Sequence, residues 1–319
     1  MSKRRKSIRG ALQSRIPQGS SLLLAVSGGK DSMAMLHCLA SNQRLFKTHI
    51  EVCHVDHGLR VDSANHAKFV VEECNKLSVR CHGVKLPRKP RRQNIEGWAR
   101  ELRYAALTEC RTANALEYMV TAHTANDVAE TLLMRLIANK ELSGIREFDE
   151  ERRLIRPLIE ISREQIEEYI SRYDIPWVED DSNADVSFVR NRIRHEVIPP
   201  LQQLFGESVV WSLAERGQAL NADYAGFREV VKDYVSAIGC IEAESEAWYG
   251  GFRGVVKRVP KSLQWRIVQE LFRVYVPRGI SEQKAKDVLT MLLLGGGKVQ
   301  LSRNLFVVLS KQGVSFRSK

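Results

Sequence analysis

The chain has 319 residues, of which 44% are hydrophobic and 27% charged, with a formal net charge of +11 at pH 7. That length holds about two domains with cores of their own, and the composition is that of an ordinary globular protein. No apolar run reaches the length of a membrane span, and the basic N-terminus leads into no long apolar segment, which points to a soluble, cytoplasmic protein without a membrane partner. The positive excess points to a polyanionic partner, most often nucleic acid. The cysteines (Cys38, Cys53, Cys74, Cys81, Cys110 and Cys240) form no Cys-x-x-Cys pair, which speaks against a zinc ribbon or a paired-thiol cluster.

In chain order, a short apolar run from Leu22 to Val26 stops at Ser27-Gly28-Gly29-Lys30-Asp31-Ser32, and helix-forming residues resume at Met33. The pattern predicts a buried strand, a tight loop and a helix start. Glycines let the backbone approach a ligand, and a helix N-terminus presents free N–H groups and a positive dipole end to phosphate. Ser27 and Ser32 add hydroxyl donors, and Asp31 suits the Mg²⁺ that accompanies a nucleotide. Neither the P-loop signature nor Gly-x-Gly-x-x-Gly is complete anywhere. The loop instead resembles the PP-loop of the N-type ATP pyrophosphatases. That likeness implies that Ser27, Gly28, Gly29, Lys30, Asp31 and Ser32 bind ATP, which is cleaved to AMP and pyrophosphate.

A second strand, His49 to Gly58, ends in Val55-Asp56-His57, followed by a helix over about 63–77 and a weak third strand over 79–86. A basic loop, 87–92, precedes a long helix over about 94–113 that carries Glu96, Arg100 and Arg103 near one face. An i,i+4 surface ion pair explains Glu96 and Arg100 equally well. Tyr118 to His123 reads as a fourth strand and Asn126 to Ile137 as its helix, with Asp127 and Glu130 at the helix start. Strand–helix alternation predicts an α/β fold, a doubly wound parallel sheet with helices on both faces. Ligands then bind at the carboxyl ends of the strands, a rim shared by Ser27, Asp56, His57 and His123, and Asp56 is expected to join the loop in binding ATP. Beyond Glu147 come a charged loop, Arg156-Pro-Leu, a helix over 163–173, the acidic turn Glu179-Asp180-Asp181, and a helical stretch from Arg190 that stops at Pro199-Pro200. From about Leu201 the chain reads as helical to Leu294, broken at Gly250-Gly251 and Pro260, with a closing hairpin over 299–309. The expected domains are 1–205, ATP-binding and catalytic, and 206–319, smaller, mainly helical and tRNA-binding.

Asp180-Asp-Ser-Asn183 and Arg190-Asn-x-Ile-Arg-His195, together with Arg156-Pro-Leu and the segments above, resemble the tRNA(Ile)-lysidine synthetases, in a short form, over about Ser21 to Leu201. One departure is that Ala138 to Gly144 keeps a single glycine where the family usually has a glycine-rich loop. The resemblance implies ATP-dependent ligation of L-lysine to C2 of cytidine 34 in the CAU anticodon of tRNA(Ile), through an adenylated cytidine, using ATP and Mg²⁺. By charge logic, Asp127 and Glu130 suit the ammonium groups of lysine and proton removal, alongside Asp31 as the third catalytic residue. Arg103 suits the lysine carboxylate, and Arg190, Arg192 and Arg194 suit tRNA phosphates. A homodimer is compatible with this reading. The alternatives are an ATP-dependent tRNA thiolase, which would carry paired cysteines, and a non-catalytic RNA-binding protein with a vestigial ATP site.

Overall fold

The first apolar run alternates its side chains between two covered faces. Leu22 and Leu24 enter one core and Leu23 another, all three with no exposure, so this strand is central to its sheet. The computed structural model describes residues 6–56, 63–87, 95–138, 144–179, 188–239, 246–273, 276, 279–301, 305–310 and 313–318.

The order of elements is α1 (Ile8–Arg15), β1 (Ser21–Ala25), α2 (Lys30–Ser41), α3 (Gln43–Phe46), β2 (His49–Asp56), α4 (Ser63–Lys76) and β3 (Arg80–Lys85). Then follow α5 (Ile95–Ala113), β4 (Tyr118–Val120), α6 (Ala125–Ile137), β5 (Phe148–Asp149), β6 (Leu154–Ile155) and α7 (Arg163–Tyr173). The sheet order is β3-β2-β1-β4-β6-β5, parallel throughout except for the β5–β6 pair. The doubly wound α/β expectation therefore holds, with one short antiparallel edge added. Helices α1, α2, α4 and α7 cover the Leu22/Leu24 face, and α5 covers the Leu23 face through Tyr104, Leu107 and Cys110. Strand order reverses between β1 and β4, and a ligand crevice opens at the carboxyl ends on either side of such a reversal.

The stretch from Arg190 departs from its sequence reading. Helix α8 (Val189–Arg192) passes through one π turn, Ile193–Val197, into α9 (Ile198–Phe205). Pro199-Pro200 does not stop this run. The prolines sit in the first turn of α9, where an N–H is not needed. Helix α1 was not expected either, and the side chain of Ser7 caps it by accepting from Gly10 N at 3.1 Å.

The compact units are Met1–Asn221 and Ala222–Lys319, divided within α10 (Ser208–Gly239), further along than the expected 205/206 boundary. The first turns of α10 are bound into the N-terminal unit. Gly144 N donates to Gly217 O at 3.2 Å, while Gln218 and Asn221 both donate to Ile145 O. A Cβ on Gly144 would lie 2.9 Å from the Gly217 backbone, so the one glycine left after α6 stands where the two segments touch.

The second unit holds α11 (Glu246–Arg258), α12 (Lys261–Arg273), α13 (Glu282–Leu294) and an antiparallel sheet of β7 (Gly297–Gln300), β8 (Leu305–Ser310) and β9 (Gly313–Ser318). Gly250-Gly251 lies inside α11 and breaks nothing, and the expected hairpin gains a third strand. Phe252 and Phe272 are fully buried in this core, and Phe272 meets Phe316 edge-on at 5.6 Å. Phe272→Ala is expected to cost about 3–5 kcal/mol. Urea unfolding reads that loss, and nucleotide affinity of the folded protein should not change.

Candidate active site

The loop after β1 is closed by its own serines. Ser27 N donates to Ser32 Oγ at 3.2 Å, the two hydroxyl oxygens lie 3.2 Å apart, and Ser32 Oγ donates to Gly29 O at 2.9 Å. Gly28 has φ +95°, and a Cβ there would meet Val178 Cγ2 at 2.8 Å, so conformation and space both demand glycine. Val178 N donates to Gly28 O at 3.0 Å and pins the loop from outside. Gly29 is the N-cap of α2, which leaves the N–H groups of Lys30, Asp31 and Ser32 without intrahelical acceptors. This cradle fits a polyphosphate. The Lys30 ammonium turns to Glu167 at 2.8 Å, over the Trp177 ring, so Lys30 enters the cradle through its backbone.

Across the crevice, Thr124 starts α6, and Asp127 Oδ2 accepts from Thr124 N at 2.7 Å and from Thr124 Oγ1 at 3.0 Å. That leaves Oδ1 free to pair with Arg190 Nη2 at 2.7 Å. Glu130, one turn on, has no exposure, and three guanidinium groups meet it. Arg190 Nε reaches Oε2 at 2.7 Å, Arg194 Nε reaches Oε1 at 2.9 Å, and Arg163 Nη1 reaches Oε1 at 3.0 Å. Arg190 and Arg194 arrive together because α8 and the π turn pack onto α6 through Ile193 against Ala125, Val128 and Ala129. Arg163 arrives because its own N–H donates to Asn126 Oδ1 at 3.0 Å, docking the start of α7 on α6.

These charges sort the proton affinities. Burial pushes Asp31 up to about 6, helped by Asp127 and opposed by Arg163 and Arg194. Asp127 and Glu130 are held below the usual carboxylate range despite burial, chiefly by Arg190 and Arg163 respectively. Burial lowers His123 to about 3 against the pull of Asp127, and its Nδ1 lies 2.9 Å from Thr121 Oγ1. Asp31 is a hard oxygen donor whose charge is disfavoured by burial and by Asp127, which fits Mg²⁺ held mainly by phosphate and water.

Of the other residues singled out by sequence, Asp56 ends β2 beside the loop, on the same rim. Arg103 borders Arg190 and Arg100, its charge disfavoured by burial and by both, and among the described residues no carboxylate pairs with it. Arg192 faces solvent and pairs with Glu196 at 3.4 Å, unlike Arg190 and Arg194, which turn inward onto carboxylates. His57 and Asp180 to Asn183 lie outside the described residues, as does the side chain of Glu96. Sequence reasoning missed Arg163. The Ser162–Gln165 capping box marks where its helix begins, but nothing local says what that helix start faces.

The chain matches the PP-loop domain family over residues 2–201. It is 31% identical over 278 residues to the tRNA(Ile)-lysidine synthase of a Nostoc species, covering 85% of this chain and 78% of that one. The chain belongs to the tRNA(Ile)-lysidine synthase family. The protein of that name from Thermosynechococcus vestitus is 30% identical over 287 residues, covering 88% of this chain and 81% of that one. That from Gloeobacter violaceus is 38% identical over 214 residues, covering 65% of each chain. The family is one of PP-loop ligases, and ATP use goes with it. The fold is shared with the solved U34-tRNA thiolase NcsA from Methanococcus maripaludis at a TM-score of 0.58 and 14% identity, over 66% of this chain and 76% of that one. No helix among the described residues is long and apolar enough to cross a membrane.

The depressed His123 makes stability depend on pH. Its unfolded form takes a proton below about pH 6.5, while the folded form stays neutral to about 3, so stability falls as pH drops through that window. One such group accounts for up to about 1.4 kcal/mol per pH unit. Asp127 is also depressed, and its contribution is lost only below about pH 4. Asp31, raised to about 6, works against this by taking up its proton in the folded state, so the check is a difference. Between about pH 6.5 and pH 4.5 the urea midpoint of His123→Asn should rise relative to that of the wild-type chain.

Proposed function

We propose that this chain ligates L-lysine to C2 of cytidine 34 in the CAU anticodon of tRNA(Ile), consuming ATP and releasing AMP and pyrophosphate. The observation that carries the proposal is a phosphate cradle and a buried carboxylate pair facing one another on the rim of one sheet. A ring carbonyl oxygen cannot leave, so it first attacks the α-phosphorus of ATP and displaces pyrophosphate. The lysine ε-amine then adds at C2, loses a proton, and AMP departs with the C2 oxygen.

The loop from Ser27 to Ser32 holds the departing phosphates, with donors aimed where charge develops. Asp31 would hold Mg²⁺, which supplies charge neutralisation on the phosphates when bound. Asp127 and Glu130 hold lysine ammonium groups. Their low proton affinity suits binding a cation better than taking up its proton. Arg103, without a carboxylate partner among the described residues, suits the lysine carboxylate.

The tRNA is held by basic surface, to which the solvent-facing Arg192 and the second unit contribute. In that unit Arg266 lies 5.1 Å from the Trp265 ring and 5.3 Å from Phe227, and Lys298 lies 4.2 Å from Phe306. Cations beside aromatic rings suit phosphates and stacked bases. A thiolase reading fits less well, since the described cysteines lie in the cores (Cys81 half-buried), and no metal-holding His, Cys, Asp or Glu group occurs among the described residues.

AMP formation by the purified chain should require both L-lysine and unmodified tRNA(Ile) for completed turnover, and Asp31→Ala should abolish it while the fold persists. Loss of the metal's ligand is worth several kcal/mol, on the order of a thousandfold in rate. Wild-type AMP release by that variant would remove Asp31 from the reaction. Asp127→Asn and Glu130→Gln should each raise the KM for lysine by about tenfold or more while moving that for ATP less. Steady-state kinetics in each substrate decides this, and equal shifts would make the pair nucleotide ligands.

A further inference from the structure

The carboxylates assigned to an ammonium group already hold three guanidinium groups. Glu130 pairs with Arg163, Arg190 and Arg194, and the same three guanidinium groups face the second oxygen of Asp127, with Arg190 nearest. An ammonium cannot enter until a guanidinium moves. A guanidinium cannot leave a buried carboxylate for uncharged surroundings without stranding two charges. It needs another anion to go to, and the three arginines differ in how they are held. Arg190 bridges both carboxylates at 2.7 Å, whereas Arg163 and Arg194 hold Glu130 closely and reach Asp127 only at 3.8 and 3.9 Å. The charges of these two also act on Asp31 in the phosphate loop. Arg194 also belongs to the π turn, an irregularity of helices that occurs often at functional sites.

We infer that Arg163 and Arg194 form a second phosphate site, releasing the carboxylates for the outer phosphates of bound ATP and so opening Asp127 and Glu130 to the amino acid. The inference rests on the lysine-site reading above and adds an order to it. The ligand class is a polyphosphate, either the outer groups of a nucleotide or pyrophosphate itself. A guanidinium fork fits phosphate as well as carboxylate, so its donors stay satisfied through the exchange. The incoming ammonium replaces the charge that leaves, so neither movement is favourable without the other. That mutual requirement couples the two substrates, and such coupling is reciprocal.

The test titrates L-lysine into the full chain by calorimetry in three states: alone, with a non-hydrolysable ATP analogue and Mg²⁺, and with inorganic pyrophosphate and Mg²⁺. Lysine should bind about tenfold tighter or more with the analogue, and the analogue should tighten equally with saturating lysine. A matching effect of pyrophosphate makes the outer phosphates sufficient, and no effect restricts the site to the whole nucleotide. Arg163→Gln and Arg194→Gln should weaken analogue binding and bring the lysine ratio toward one. A purely structural role would instead weaken lysine binding with and without the analogue and leave the ratio unchanged. Equal lysine affinity in all three states of the wild-type chain overturns the inference without any variant having to fold. Asp127→Asn distinguishes the other failure, because unchanged lysine affinity in that variant with analogue present sinks the lysine-site reading itself.

Discussion

A glutamate with no exposure to solvent organises one side of this crevice. Glu130 projects from α6 into a site walled by α6, α7 and the helical run from Val189 to Phe205. Leaving one such buried charge without a partner costs about 3–5 kcal/mol, so its counter-charges are a condition of folding as well as of function. Arg163, Arg190 and Arg194 satisfy it from two separate segments. Each segment is in turn fixed by something ordinary, a backbone hydrogen bond to Asn126 in one case and apolar packing of Ile193 in the other.

That arrangement separates the carboxylates by task. Asp31 is buried and faces Asp127, and against the pull of Arg163 and Arg194 it binds its proton more tightly than a free aspartate, to about 6. Asp127 and Glu130 stand against arginines and bind protons more weakly. A group of the first kind gains from a cation such as Mg²⁺, and a pair of the second kind is a standing cation site. The neutral His123 beside Asp127 adds no charge to this balance at physiological pH.

The position of the crevice follows from connectivity. Successive crossovers place β2 and β3 on one side of β1 and β4 with β6 on the other, so the loops after β1 and β4 flank a gap with no crossover above it. Arg156, directly after β6, donates to Arg146 O at 2.7 Å and with Arg100, Arg103 and Arg152 surrounds Tyr104, where positive charge lowers the phenol's proton affinity against burial. The same rim therefore runs from carboxylates on α6 to arginines on α5, a gradient suited to a substrate carrying both signs.

Much of this was legible in the order of residues. Strand, loop and helix periodicity are local properties, and the serine and glycine pattern of the phosphate loop depends on backbone conformation and on donors within six consecutive positions. Asp127 and Glu130 were legible as a pair because they share one helix start. The partners of that pair were not. Arg163 lies 33 residues beyond Glu130 in sequence and Arg194 lies 64 beyond it. Arginines at 190 and 194 look alike on paper whether they face solvent or a carboxylate, and only the packing of the π turn against α6 turned them inward while leaving Arg192 outside. Pro199-Pro200 and Gly250-Gly251 misled for a related reason, since a breaker's effect depends on its place within a helix and on what packs around it. Local chemistry determined what the residues can bind, and the long-range burial of one charge decided which of them meet.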